Sequence, residues 1–140
     1  CGVPDEEISR QIDELLAETG RLIEKGAFKD AIGGIFEFVR SANKYFDTQT
    51  PWITRTTDEK ACQNTLYQCV QIIANLAVLL APFLPFSSEK VCAWLQISNE
   101  WNRKEIPEGY RLPEIQILFE RIDKGVIDIE TEKLKSLINE

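Results

Sequence analysis

The chain has 140 residues, a mass of 16.0 kDa, 44% hydrophobic and 28% charged residues, which indicates one globular domain and excludes a largely disordered protein. Its formal net charge of −7, from 16 Lys and Arg against 23 Asp and Glu, excludes a strong bulk basic surface, so any contact with nucleic acid must be local. The absence of His excludes Ser-His-Asp and Cys-His catalytic systems and every His-containing metal site.

The start of the chain predicts a piece of a longer protein, because there is no Met and the sequence opens Cys1-Gly2-Val3-Pro4. This opening has neither the basic nor the apolar region of a signal peptide, so the cytoplasm is the expected location. The four Cys residues have no CxxC spacing, which argues against a zinc or redox motif. They are predicted to be small, buried, reduced side chains: Cys1, Cys62, Cys69 and Cys92.

The first two predicted helices form the N-terminal third of the chain. Apolar residues repeat at helical spacing from Asp5 to Lys25, and Gly26 is expected to cap that helix at its C-terminal end. The second helix is predicted from Ala27 to Asp47. The Gly33-Gly34 pair in its middle is expected to permit close helix packing rather than to serve chemistry.

The third predicted helix is the most apolar. Thr56 and Glu59 have the spacing of a capping box, and the helix is expected to run to about Ala81 in the centre of the core. Four amides at spacings of four, three and four form one stripe, predicted to be a solvated or core-satisfying face rather than a ligand surface. The stripe consists of Asn64, Gln68, Gln71 and Asn75. With Pro82 and Pro85 it argues against a membrane span.

The C-terminal third is less regular. Pro82 to Pro85 ends the third helix, and Ser87 or Ser88 is expected to cap a fourth helix that ends near Gln96. Residues 97–113 read as loop, residues 114–122 as either helix or extended chain, and Asp128 as the cap of a last amphipathic helix. The apolar positions of that helix are Ile129, Leu134, Leu137 and Ile138. The prediction is an all-α bundle of about four to five helices with an irregular C-terminal segment, in one domain spanning residues 1–140.

No residue pattern in the chain predicts catalysis. There is no Gly-rich phosphate loop, no GxSxG and no HExxH, and the carboxylates lie on the polar faces of predicted helices, where solvation explains them. We therefore expect no catalytic residue, no metal ligand and no cofactor site in this chain.

The most informative stretch runs from residue 41 to 52 and ends in Pro51-Trp52. It places Trp52 in the predicted loop that leaves the second helix. From residue 40 to 57 the charged residues sum to +2: Arg40, Lys44, Asp47 and Arg55. A flat aromatic ring beside cations suits stacking on an unpaired base. Composition alone leaves open the alternative that Trp52 plugs the end of the bundle.

This stretch, Ala42-Asn-Lys-Tyr-Phe-Asp-Thr-Gln-Thr-Pro-Trp52, resembles the A-N-[RK]-Y-x-D-x-x-x-P-W signature of the anticodon-binding domain of methionyl-tRNA synthetases. Residues 79–85 are similar to an L-x-P-F-x-P element of the class I synthetases for methionine, leucine, isoleucine and valine. Trp101, the turn at 109–113 and residues 118–122 resemble a further methionyl pattern, so the resemblance covers about residues 24–123. Phe86 stands where the synthetases for leucine, isoleucine and valine commonly have His, which favours the methionyl resemblance. Thr48 stands where the methionyl family often has Glu.

The resemblance implies roles for five residues. Trp52 is expected to stack on an anticodon base, with Pro51 fixing its presentation, while Tyr45 and Phe46 serve packing. Asn43, Lys44 and Arg55 are the candidates for hydrogen bonds or phosphate contacts. The implied partners are the anticodon loop of tRNA and a catalytic domain in cis, with no membrane and no DNA.

The reaction implied for the parent enzyme is the ATP-dependent esterification of methionine onto its tRNA, with ATP and methionine bound by a catalytic domain that this chain lacks. The Asn and Arg that the family carries on an earlier helix have no counterpart here before residue 28. Two alternatives stay open: a structural or dimerisation bundle, and the anticodon domain of another synthetase of the same subclass.

Overall fold

The computed structural model describes residues 5–138, with side chains through residue 136, and this part of the chain contains six helices and no strand. The predicted all-α class is therefore confirmed. The helices are α1 (Glu6–Glu24), α2 (Phe28–Gln49), α3 (Pro51–Thr57), α4 (Glu59–Leu80), α5 (Pro85–Leu95) and α6 (Lys124–Ile138). Cys1 and the other residues before Asp5 lie outside the described residues, as do the side chains of Leu137 and Ile138.

α1 and α2 form a helical hairpin whose ends follow the sequence closely. The Asp5 carboxylate accepts hydrogen bonds from the backbone amides of Glu7 and Ile8 at 2.9 and 3.0 Å, so it caps α1 at the residue where the predicted helix begins. Gly26 has a φ of +72°, a left-handed conformation that costs Gly little and that turns the chain into α2. The two helices of the hairpin pack directly against each other.

α4 is the central helix, as its nearly all-round apolar sequence predicts, because it contacts α1, α2, α3 and α5. Its Val78 and Leu79 have no exposed surface and pack with Ile35 of α2. Ile12 and Leu16 of α1 complete this cluster. Burying side chains of this size stabilises the fold by about 1.5–3 kcal/mol each, so the bundle depends on α4.

Three helix starts differ from the prediction. Asp58, and not Thr56, caps α4: its carboxylate accepts from the Ala61 amide at 3.0 Å, while Thr56 lies inside α3. The capping-box assignment was wrong because α3 occupies the residues read as a loop.

Proline placement explains the second difference. α5 begins at Pro85, before Ser87 and Ser88, because Pro is well suited to the first helical position, where its missing N–H costs nothing. Ser88 is instead buried in α5.

The last helix also starts earlier than predicted, at Lys124. Asp123 accepts a hydrogen bond from the Gly125 amide at 2.7 Å, whereas Asp128 lies within the helix. Among the described residues, α6 contacts no other helix. Its apolar side chains Val126, Ile127, Ile129 and Leu134 are all more than half exposed.

The amide stripe of α4 is core-satisfying, one of the two roles predicted for it. Gln71 and Asn75 are buried, and each pairs with both backbone groups of one residue in the segment 97–113. Gln71 pairs with Ile106 and Asn75 with Lys104, at 2.7–2.9 Å. These amides therefore replace the secondary structure that the segment lacks.

Two further sequence predictions meet mixed outcomes. A Cβ at Gly33 would have no neighbour within 4 Å, so Gly33 does not serve helix packing; only Gly34 faces α1, where Leu15 lies at 3.8 Å. Cys62 and Cys92 are buried free thiols, as predicted, whereas Cys69 is a free thiol that is only half-buried. No helix within residues 5–138 combines the length and apolarity needed to cross a bilayer.

Candidate nucleic-acid interface

The candidate site lies at the junction of α2 and α3, which turns on a single residue. α2 ends at Gln49, α3 begins at Pro51, and Thr50 between them has φ 44° and ψ 57°. A left-handed conformation costs a residue with a Cβ about 1–2 kcal/mol. The Thr50 carbonyl accepts from the amides of Ile53 and Thr54 at 2.8 and 3.0 Å, so the same residue caps one helix and begins the next.

Pro51 anchors this junction to the bundle. It is the first residue of α3 and is buried, and its carbonyl accepts a hydrogen bond from the Cys62 thiol of α4 at 3.5 Å. The assignment of Pro51 and Trp52 to a loop was wrong for the same reason as at α5: Pro begins a helix here rather than interrupting one. Because Pro51 is buried against α4, the residue after it starts from a fixed position.

Trp52 is exposed at the junction of α2 and α3, which we call the tip, and 57% of its surface is accessible. Its ring contacts Phe46, with centroids 5.9 Å apart and planes tilted by 58°. Phe46 is only half-buried, so it supports the indole from one side and leaves the remainder open to solvent. An indole with this exposure does not plug the end of the bundle.

The polar candidates surround the indole unequally. Arg55 is exposed and follows Trp52 by three residues on α3, so the two lie on neighbouring positions of one face. Asn43 is exposed one turn before Phe46 on α2, whereas Lys44 lies about 160° around the helix from Phe46. Helical spacing therefore places Arg55 next to Trp52 and Asn43 next to Phe46, the ring that contacts Trp52, while Lys44 belongs to the outer side of α2.

The cations between positions 40 and 57 form no ion pair in the part of the chain that the structure describes. Of the ion pairs found between described residues, none involves Arg40, Lys44 or Arg55, although Arg10, Arg21 and Arg103 are all paired. Asp47 is the one acidic residue between positions 40 and 57, and it is exposed. Of these cations only Arg55 shares a helix with the open indole, and a cation beside an aromatic ring is suited to a ligand that presents both anionic and flat groups.

The titratable groups near the site do not form a catalytic constellation. Burial raises the pKa of the Tyr45 hydroxyl, helped by the nearby Cys69 and Asp5, so this group stays protonated. Burial likewise raises the pKa of the Cys69 thiol, which keeps it in the poorly nucleophilic thiol form. No group of His, Cys, Asp or Glu in the described part of the chain is arranged to hold a metal ion.

Two residues that position the tip were not anticipated from the sequence. Thr50 carries no signal of a left-handed conformation, because Gly or Asn is the usual residue there. Cys62 was read only as a buried apolar residue, and its hydrogen bond to Pro51 depends on a packing that sequence spacing does not reveal.

Comparison with known families gives a match over nearly the whole chain. The profile of the family described as the anticodon-binding domain of tRNA ligase matches residues 5–139. The chain is 44% identical over 134 residues to methionine–tRNA ligase 1 of Alkaliphilus oremlandii, and 46% identical over 133 residues to a methionine–tRNA ligase of Bacillus anthracis. Each alignment covers 95% of this chain but only 25% and 24% of the relative, so the chain spans about a quarter of their length.

Solved structures give the same architecture. The ligand-free methionyl-tRNA synthetase of Mycobacterium tuberculosis superposes with a TM-score of 0.74 at 25% identity, covering 87% of this chain and 28% of that one. The same enzyme in complex with methionyl-adenylate gives 0.76 at 24% identity, covering 86% and 26%, which bears on the fold alone.

Proposed function

This chain belongs to the family of anticodon-binding domains of tRNA ligases, and from that premise we propose that it recognises the anticodon loop of methionine tRNA within a methionine–tRNA ligase. The observation that carries the proposal is the exposed Trp52 indole, held at the tip by buried Pro51 and by Phe46. Anticodon bases are unpaired, and recognition of unpaired RNA bases relies on stacking against aromatic rings.

In this proposal the anticodon base stacks on the open part of the indole. Stacking of the base on the indole is favourable, and Phe46 already supports the indole before the RNA binds. Little freedom of the Trp52 side chain is therefore lost on binding. Arg55 contributes a cation for the neighbouring phosphate, and Asn43 a side chain able to donate to and accept from a base edge. Pro51 takes part only by fixing where Trp52 begins.

The remaining steps belong to the rest of the ligase. We propose that a catalytic domain in cis binds ATP and methionine and joins methionine to the tRNA, and that the residues of this chain supply selection of the tRNA rather than chemistry. A location in the cytoplasm, where tRNA is charged, is part of the same proposal, and membrane and DNA are not among the proposed partners.

The decisive experiment is charging by the full-length ligase with Trp52→Ala. A stacked base contributes about 1–3 kcal/mol, so kcat/KM for methionine tRNA is expected to fall about fivefold to 150-fold. The matched control is Ile53→Ala, because Ile53 is the next residue of α3 and is 51% exposed but offers no flat ring. It is expected to charge normally.

A tRNA with a swapped anticodon completes the design. Because this tRNA does not present the proper base to the indole, the ligase is expected to charge it slowly. Trp52→Ala is expected to change that low rate little. Equal losses for both tRNAs would show that Trp52 does not read the anticodon. A requirement of the full-length ligase for an anticodon other than that of methionine would favour another synthetase of the subclass.

A further inference from the structure

We infer that Phe46 is a positioning residue for anticodon recognition, because its ring holds the Trp52 indole in the orientation that a stacking base requires. This inference rests on the proposed function and deepens it, since it names the residue that decides how the indole is presented. The two ring centroids are 5.9 Å apart and the ring planes are tilted by 58°. In residues 5–136 no other pair of aromatic rings is in contact.

The surroundings of Phe46 differ from those of a core residue. Phe46 is half-buried and is not part of either apolar core cluster of the described residues. Phe38, about two turns earlier on α2, does pack against the core cluster that α1, α2 and α4 form. The contact with Trp52 therefore accounts for an aromatic side chain at position 46 better than core packing does.

The backbone of Trp52 is fixed independently of Phe46. Pro51 is buried at the start of α3, and the Thr50 carbonyl accepts two hydrogen bonds from amides of the first turn of that helix. The Trp52 side chain keeps two torsion angles of freedom, and an exposed side chain changes rotamer rapidly unless a neighbour restricts it. The Phe46 ring is that neighbour, so it restricts the part of Trp52 that the backbone does not.

The placement of Phe46 suits this role. It precedes Thr50 by four residues, so it lies on the face of α2 at which the chain turns into α3. Tilted rings at this separation form a favourable aromatic pair, which raises the population of one arrangement by about twofold to twelvefold. The contact still leaves 57% of Trp52 accessible. Phe46 therefore orders the indole without covering the surface on which a base would stack.

Ordering of the indole has a consequence for affinity. A base binds the fraction of the protein in which the indole is correctly oriented, and the apparent affinity falls in proportion when that fraction falls. Loss of the Phe46 ring is therefore expected to lower kcat/KM for methionine tRNA by about twofold to twelvefold. A tRNA whose anticodon does not engage the indole is expected to be charged as before.

The first test is charging by the full-length ligase with Phe46→Leu and, as a second variant, Phe46→Met. Both substitutions keep apolar volume and remove the ring. The matched control is Phe36→Leu, because Phe36 is also on α2 and is 43% exposed but has no ring contact with Trp52. Both Phe46 variants are expected to show the twofold to twelvefold loss with methionine tRNA, and the control is expected to charge normally.

A double-mutant cycle separates positioning from a general structural effect. In the Trp52→Ala ligase there is no indole to orient, so adding Phe46→Leu is expected to cause no further loss with methionine tRNA. A residue needed only for the stability of the bundle would lower charging by the same factor whether or not Trp52 is present.

A spectroscopic measurement tests the orientation without RNA. The chain has three Trp residues, and ¹⁵N relaxation of their indole N–H groups reports the mobility of each ring in the 140-residue chain. In Phe46→Leu the order parameter of Trp52 is expected to fall below about 0.6, the range of flexible groups. Those of Trp94 and Trp101 are expected to stay unchanged.

Failures of the two proposals are distinguishable. Charging by both Phe46 variants equal to that of Phe36→Leu would overturn the inference and leave base stacking on Trp52 standing. An equal loss in the presence and absence of the indole, or an unchanged order parameter of Trp52, would also overturn it. Equal losses for methionine and swapped-anticodon tRNA in Trp52→Ala would overturn the proposed function, and the role of Phe46 in recognition with it.

Discussion

The side-chain amide of Asn75 pairs with both backbone groups of Lys104: its Oδ1 accepts from the Lys104 amide at 2.8 Å, and its Nδ2 donates to the Lys104 carbonyl at 2.9 Å. Asn75 is 1% exposed and Lys104 7% exposed. The contact joins the central helix to a segment without regular structure, 29 residues later in the chain. The Asn75 side chain therefore satisfies the backbone hydrogen-bonding groups of Lys104, as a neighbouring strand does in a sheet.

We predict that Asn75→Ala destabilises the chain by about 2–4 kcal/mol, because two buried backbone groups at Lys104 lose their partner and each costs about 1–3 kcal/mol when unsatisfied. Urea unfolding followed by circular dichroism measures the change. Asn64→Ala is the matched control, since Asn64 is on the same helix but only half-buried, and about 0.5 kcal/mol or less is expected. Equal effects of the two substitutions would show that the hydrogen bonds between Asn75 and Lys104 do not stabilise the chain.

A second prediction concerns Thr50. Thr50→Gly is expected to stabilise the chain by about 0.5–1 kcal/mol, because Gly avoids the cost of the left-handed conformation, about 1–2 kcal/mol, but gains more freedom when unfolded. Thr50→Ala keeps a Cβ and is expected to give no such gain. Thermal unfolding of the three proteins measures the difference. Destabilisation by Gly beyond that by Ala would show that the Thr50 side chain matters more than its backbone.

Stability at alkaline pH is the third prediction. Burial raises the pKa of the Cys69 and Cys92 thiols in the folded chain, with Lys104 opposing the shift at Cys92. The folded state therefore holds these protons more tightly than the unfolded state. The contribution of the two thiols to the free energy of unfolding is fully present below the pKa of an unfolded Cys, about 8.5. It is lost as the pH rises through the higher pKa values of the folded chain.

The measurement is the free energy of unfolding from pH 6 to 10. A flat region is expected between pH 6 and 8, because the chain has no His, followed by a decline above pH 8.5. In the double variant Cys69→Ala/Cys92→Ala the decline between pH 8.5 and 9.5 is expected to be smaller. Tyr45, whose pKa is also raised by burial, adds a further decline near pH 10. An unchanged decline in the double variant would exclude the thiols as its cause.

Most of the bundle was predictable because its signals are local. Apolar spacing identified α1, α2 and α4, and Gly26 and Asp5 marked ends that the structure confirms. α3 was missed because Pro51 was read as an interruption, although Pro also begins helices; the error then moved the start of α4 to Thr56. A seven-residue helix carries too few turns for periodicity to correct such a reading.

The candidate site was predictable in part. Resemblance directed attention to Trp52, but neither resemblance nor composition indicates exposure, which results from Pro51 being buried against α4. Lys44 was grouped with the loop residues by its place in the sequence, whereas helical geometry puts it on the outer side of α2. The roles of Asn43, Lys44, Arg55, Pro51 and Trp52 in RNA binding stay predictions.

The junction at Thr50 has one more consequence. The torsion angles of this single residue set the direction in which α3 leaves α2, and the packing of α3 against α4 holds it in that direction. A substitution that changed these angles would have to break contacts with the central helix before it moved the indole. The position of the indole is therefore coupled to the stability of the bundle through α4.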